Sequence, residues 1–200
     1  MMKRLLLSLV LLSAQAFPAW ALDLNPLSAI KGAVEAAVED RSSQDIASDL
    51  SIKTKITAEV IDKMGSEVIS INADVYEGQV MLTGAVDHKD IKEKAGILTK
   101  GIKGVKRLFN EIMVIKPIDK EKGAVENYVD DTVIESKINA LLLDGGGVNV
   151  TNFRWRSVGG HVFLFGRALS AAEKDKAVGI VAGIKGVQSL TNRVFVRAKS

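Results

Sequence analysis

The chain contains two histidines, His88 and His161, and no cysteine. An imidazole is the side chain best suited to general acid–base work or metal ligation near neutral pH. Either role also needs a nucleophile, an orienting carboxylate or further ligands, and neither histidine has such neighbours in sequence. His88 therefore reads as a helix-start residue and His161 as a surface strand position. Lack of cysteine removes thiol catalysis and disulfide staples together.

Two further groups invite a chemical reading. Gly145-Gly146-Gly147 could cradle a phosphate, but no Lys-Ser or Lys-Thr follows, and the segment leads out of a helix rather than opening one. A phosphate loop needs backbone amides converging at a helix N-terminus, so a flexible turn is expected here. Asp130-Asp131, echoed by Asp49, could offer carboxylates to a cation. Cooperating ligands are not placed nearby in sequence, and capping of a helix suits these residues better. The reading is therefore of no catalytic residue, no metal and no cofactor. An enzyme would need a composite site assembled from distant segments.

The elements that position the remaining side chains come from a duplication. Ile52-x-x-Lys55-Ile56 recurs as Ile134-x-x-Lys137-Ile138, and Gly78-x-Val80-x-Leu82-x-Gly84 recurs as Gly160-x-Val162-x-Leu164-x-Gly166, each offset by 82 residues. The same offset carries Gly101-Ile102-Lys103-Gly104-Val105 onto Gly183-Ile184-Lys185-Gly186-Val187 and Asn110 onto Asn192. A gap-free match of this length marks a duplicated domain.

Apolar residues three or four apart predict helices over about 49–64 and 131–143. Strands follow over 68–76 and 79–86, and over 148–157 and 161–168, joined by Glu77-Gly78 or Gly159-Gly160 as two-residue hairpins. A second helix is opened by Asp87 in the first copy and by a Ser170-x-x-Glu173 capping box in the second, and closes on Gly-x-x-Gly. A last strand covers 108–115 or 190–197. The fold class is α/β (α+β): two tandem αββαβ modules, each a three-stranded mixed sheet with two helices on one face. The expected bounds are 45–116 and 128–200, with a linker at 117–127 and a short amphipathic helix within 22–44 whose stripe is Leu27, Ile30, Val34 and Val38.

Alternation along the second sheet sends Phe153, Trp155, Val162, Leu164, Val194 and Val196 toward the helices. The other face collects Arg154, Arg156, Phe163, Phe165, Arg167, Arg193, Phe195 and Arg197. Exposed aromatics in such number call for a cover. Three covers are open: the other module or the 27–38 helix, an anionic lipid or glycan, or single-stranded nucleic acid. The first module's face, with Asp74, Met81, Thr83, Glu111 and Met113, shows no such character.

Met1-Met2-Lys3-Arg4, an apolar run over 5–12 and Ala19-Trp20-Ala21 read as a secretory signal peptide, residues 1–21. Nothing later supplies the roughly 20 apolar residues of a membrane span, and the missing cysteine excludes a lipid anchor at the cleavage point. The formal charge of +3 owes two units to Lys3 and Arg4, leaving the rest near +1. That balance, with export, argues against nucleic acid.

The duplicated Gly-x-Val-x-Leu-x-Gly strand, the Gly-Val after the second helix, and the closing Leu108-x-Asn110-x-Ile112-x-Val114 and Leu190-x-Asn192-x-Val194-x-Val196 together resemble BON domains, over about 45–197. The resemblance implies a noncatalytic periplasmic protein linked to osmotic stress and envelope integrity. It also implies anionic phospholipid binding by the first helix of the second module, here through Val133, Ile134, Lys137 and Leu141, with peripheral membrane contact at most. Val133 stands where lipid-binding members carry an aromatic. The alternative is a protein–protein adaptor or chaperone-like holder that uses the Phe and Arg face.

Overall fold

The computed structural model describes residues 40–64, 71–115 and 117–197, without the side chains of 61–62 and 117–130. The expected signal peptide, the 27–38 helix and the start of the first strand at 68–70 lie outside the described residues. Both modules fall within one compact unit, Glu35–Ser200.

In the first module, α1 spans Ser43–Met64. It starts six residues before the apolar periodicity does, because the Ser42 hydroxyl accepts the Asp45 amide at 3.1 Å and satisfies one of the first-turn donors. Strands β1 (Asn72–Tyr76) and β2 (Gln79–Thr83) pair antiparallel. Their turn has positive φ at both central residues, 52° at Glu77 and 74° at Gly78, the twist that favours tight hairpins. β3 (Ala85–Val86) follows, then α2 (Lys89–Lys100).

The residue at the start of α2 is His88, in extended conformation, and not Asp87 as expected; the His88 side chain makes no capping bond. β4 (Arg107–Asn110) returns parallel to β2, and β5 (Met113–Val114) parallel to β3. The ladder runs through the break at Gly84, whose carbonyl accepts the Met113 amide at 2.8 Å.

The second module begins on α3, Pro117–Asp144. Residues 117–127, expected as a linker, are helical, and Pro117 occupies the first helical position, where a missing N–H costs nothing. A 3-10 turn at Val150–Asn152 precedes β6 (Phe153–Val158), so this strand starts five residues later than alternation suggested. Positive φ at Gly146 and Gly147 breaks the extended path before it. β7 (His161–Ala168), α4 (Ala171–Ala182) and β8 (Ser189–Val196) complete the unit, with sheet order β6-β7-β8, antiparallel then parallel.

The last glycine of the repeated strand motif has a packing reason. Gly166 has a φ of 112°, and a Cβ there would lie 2.1 Å from the Asn152 carbonyl oxygen. The Ser170 hydroxyl caps α4 as expected, accepting the Glu173 amide at 3.1 Å. The reciprocal carboxylate contact differs from a simple capping box, because Glu173 accepts the Leu169 and Asn149 amides, each at 2.6 Å.

Each module buries one sheet face under its own two helices. Ile52, Ile56 and Val60 of α1 pack on Val80 and Leu82, and their repeat equivalents Ile134, Ile138 and Leu142 pack on Val162 and Leu164. Each such side chain contributes about 1.5–3 kcal/mol when taken fully out of water. Val196, expected on the helix side, is 36% exposed, at the last residue of β8.

Candidate functional site

The Phe and Arg face of the second module is covered by the opposite face of the first. Phe163 and Phe165 are 5% and 0% exposed and share a cluster with Tyr76 and Met81, flanked by Phe109, Met113, Val158 and Phe195. Phe109 meets Phe165 edge to face at 6.1 Å, and Tyr76 meets Phe195 likewise at 6.1 Å. The order of layers is therefore helices, sheet, sheet, helices.

The first module's face, without that Phe and Arg character, is the complement of the second. Its methionines fill the gaps between aromatic rings, and its carboxylates meet the arginines. Arg156 lies 3.3 Å from Asp74, and Arg193 donates to Glu111 at 2.7 Å. Arg167 bridges Glu77 and Asp40, reaching the latter at 2.6 Å, and Arg197 also meets Asp40, at 3.3 Å. Arg154 donates to the Thr151 and Phe153 carbonyls and stacks 5.7 Å from the Tyr76 ring centre.

Burial disfavours the charge on Arg167, but the hydrogen bond it donates to Asp40 and the neighbouring Tyr76, Glu77 and Asp40 more than offset it, so its pKa lies above the ordinary value. Within one chain, Phe163 and Phe165 are thus turned onto the first module.

Tyr76 is the centre that sequence reading missed. Its ring is fully buried, its hydroxyl donates to Asn152 Oδ1 at 3.0 Å, and the Arg41 guanidinium sits 3.9 Å from the ring centre. Arg41 also pairs with Asp49. An aromatic closing a strand on the face away from its own helices was the available signal.

Asp49 and Asp131 are repeat equivalents inside α1 and α3, and they do not cap those helices as expected. Each reaches across to the hairpin turn of its own module. Asp49 accepts the Glu77 and Gly78 amides at 2.6 and 2.8 Å. Asp131 accepts the Gly159 and Gly160 amides at 2.6 and 2.8 Å and the Ser157 hydroxyl at 2.6 Å. Adjacent turn amides form a small anion-binding nest, which a carboxylate fills. In the first module the nest also offsets the cost, about 1–2 kcal/mol, of a left-handed non-glycine residue at Glu77.

Beside this clamp, Glu135 accepts the Ser157 amide at 2.9 Å. Burial raises its pKa above the ordinary 4.5, opposed by that amide and by Arg156 and assisted by Asp74 and Asp131. The folded state thus holds the proton more tightly than the unfolded chain, and stability from this group is present in full below pH 4.5 and lost as pH rises through the folded pKa. Glu135→Gln keeps an acceptor for the Ser157 amide and removes the titration. The expected result, read by denaturant unfolding at several pH values, is a flatter pH dependence just above 4.5 than in the parent.

The outer side of α3 carries the lipid-contact candidates, and the structure divides them. Val133 and Leu141 are 44% and 45% exposed and Lys137 lies exposed between them, a single stripe at four-residue spacing. Ile134 is 2% exposed and belongs to the core, one residue round the helix, so it offers no surface. The equivalent stripe on α1 is Ser51, Lys55 and Glu59, without apolar groups. Lys55 and Glu59 instead line an open groove of about 480 Å³ with Lys63, Ile97 and Lys103.

His161 makes a 2.6 Å contact from Nδ1 to the Ser189 hydroxyl at an exposed strand end, and His88 stands in the other module. Among the described residues no helix is long and apolar enough to cross a membrane.

These features define a class: two duplicated αββαβ units joined sheet to sheet, with their helices outward. The BON domain profile matches residues 48–116 and 130–198. The chain belongs to the BON-domain family. It is 35% identical over 130 residues to an uncharacterized protein from the gshII 5′ region of Anaplasma centrale, covering 65% of this chain and 82% of that one. It is 29% identical to the outer membrane lipoprotein DolP of Haemophilus influenzae, over 60% of this chain and 59% of DolP. To the osmotically-inducible protein Y of Escherichia coli it is also 29% identical, over 72% of this chain and 70% of the relative.

Proposed function

We propose that this protein is a non-enzymatic periplasmic component of envelope maintenance under osmotic stress, touching anionic phospholipid weakly through α3. The supporting observation is the exposed Val133, Lys137 and Leu141 stripe, in which one cation is flanked by two apolar side chains on the outermost layer of the second module. An apolar pair seats in the acyl boundary while the ammonium meets phosphate, the arrangement used by peripheral helices. The names of the relatives, one an outer membrane lipoprotein and one osmotically inducible, agree with such a location.

Co-sedimentation of the chain with phosphatidylcholine vesicles and with phosphatidylglycerol-containing vesicles tests this. Binding is expected only to the anionic vesicles and should weaken as salt rises. A basic residue near such a surface contributes about 1 kcal/mol, and charge reversal adds repulsion, so Lys137→Glu should weaken binding about tenfold. Absence of sedimentation with every lipid and salt condition would sink the reading.

A further inference from the structure

Two of the charged contacts between the modules join positions that are equivalent in the repeat, while a third, Arg167 with Glu77, does not. Asp74 meets Arg156, and Glu111 meets Arg193, each pair separated by 82 residues, the offset of the duplication. The first pair extends outward in a row. Lys53 lies 3.9 Å from Asp74, and Glu135, the equivalent of Lys53, lies 4.0 Å from Arg156. The row reads plus, minus, plus, minus from one module into the other.

The apolar cluster between them draws on equivalent positions of both modules, Met81 and Phe163, Tyr76 and Val158, and Met113 and Phe195, although its ring contacts, Tyr76 with Phe195 and Phe109 with Phe165, join non-equivalent ones. A residue meets its own counterpart only near the axis of a two-fold contact, so the modules face each other as subunits of an isologous dimer do.

Sign separates this contact from one between identical units. At the three equivalent positions the first module carries Lys53, Asp74 and Glu111, and the second carries Glu135, Arg156 and Arg193. Two first modules pressed together in this geometry would set Asp74 on Asp74 and Glu111 on Glu111. Two second modules would set arginine on arginine. Like charges brought together at an interface repel, which rejects the wrong pairs.

We infer that the two sheet faces are halves of one two-fold docking surface made selective for unlike modules by inverted charge. The partner this surface fits, other than its neighbour in the chain, is the complementary module of a second copy. Association of copies through it is then reciprocal, first module on second and second on first.

Two full-length variants test this. One carries Glu135→Gln, Arg156→Glu and Arg193→Glu, so acid faces acid at both equivalent pairs. The other carries Lys53→Gln, Asp74→Arg and Glu111→Arg, so arginine faces arginine at both. Each alone should run at the mass of one chain in light scattering. An equimolar mixture should form a one-to-one pair at least about a hundredfold tighter than either variant with itself. All six substitutions in one chain should restore a single-chain species with close to the parental melting temperature.

A mixture that stays at single-chain mass overturns the proposal, as does self-association of either variant matching the mixture. Where the three-residue variants fail to fold, the six-residue chain decides. Its failure to recover would show that charge does not select the pair.

Discussion

Phe165→Ala is expected to lower stability by about 3–5 kcal/mol, the range for truncating a large aromatic in a packed interior. The ring is completely buried and meets Phe109 edge to face, yet it lies outside both helix-side cores. Its loss therefore falls on the contact between modules, while α3 and α4 keep their seat on Val162 and Leu164. Calorimetry should show a melting temperature lower by about 10 °C. Hydrogen exchange should rise first at the amides of β4 and β7, whose outer faces the ring joins through Phe109. A melting temperature within a degree of the parent would contradict the burial assigned to this ring.

Asp131→Ala carries the second large effect. The substitution leaves the Gly159 and Gly160 amides and the Ser157 hydroxyl without their acceptor. A buried donor left unmade costs roughly 1–3 kcal/mol, so a total of about 2–4 kcal/mol is expected once water recovers part of it at this half-buried turn. The damage is local: the β6–β7 hairpin should lose exchange protection while the first module, clamped by Asp49, keeps its own. Asp131→Asn retains one acceptor oxygen without the charge and should recover less than half of the loss. Equal stability of the alanine variant and the parent, measured by denaturant unfolding, would remove the clamp from the account.

Much of the fold was legible because the duplication shows each element twice. The hairpin turns, the helix-side faces and the capping role of Ser170 all follow from local spacing. Local spacing also places Ile134 and Val133 side by side on a helix. It does not say which one points inward, since that depends on where the sheet lies, and the fold turns Ile134 into the core and leaves Val133 outside. Asp49 and Asp131 were visible as equivalents, but capping was the nearest use a carboxylate has in its own segment. Their partners lie 28 and 29 residues away, across the module. Pro117 marked a helix start that reads equally as a break.

The sequence by itself determined the repeat, the order of elements in each unit, and the gathering of phenylalanine and arginine on one sheet face. Periods of 2 and 3.6 residues are properties of a strand or helix alone. Only the tertiary structure decided that this face is an inner surface, with Tyr76, Met81, Asp74 and Glu111 of the other module upon it. An exposed array of rings and cations carries no mark of what covers it. The mark is complementarity, and complementarity exists between two surfaces, so it can be read only once the fold has brought them together.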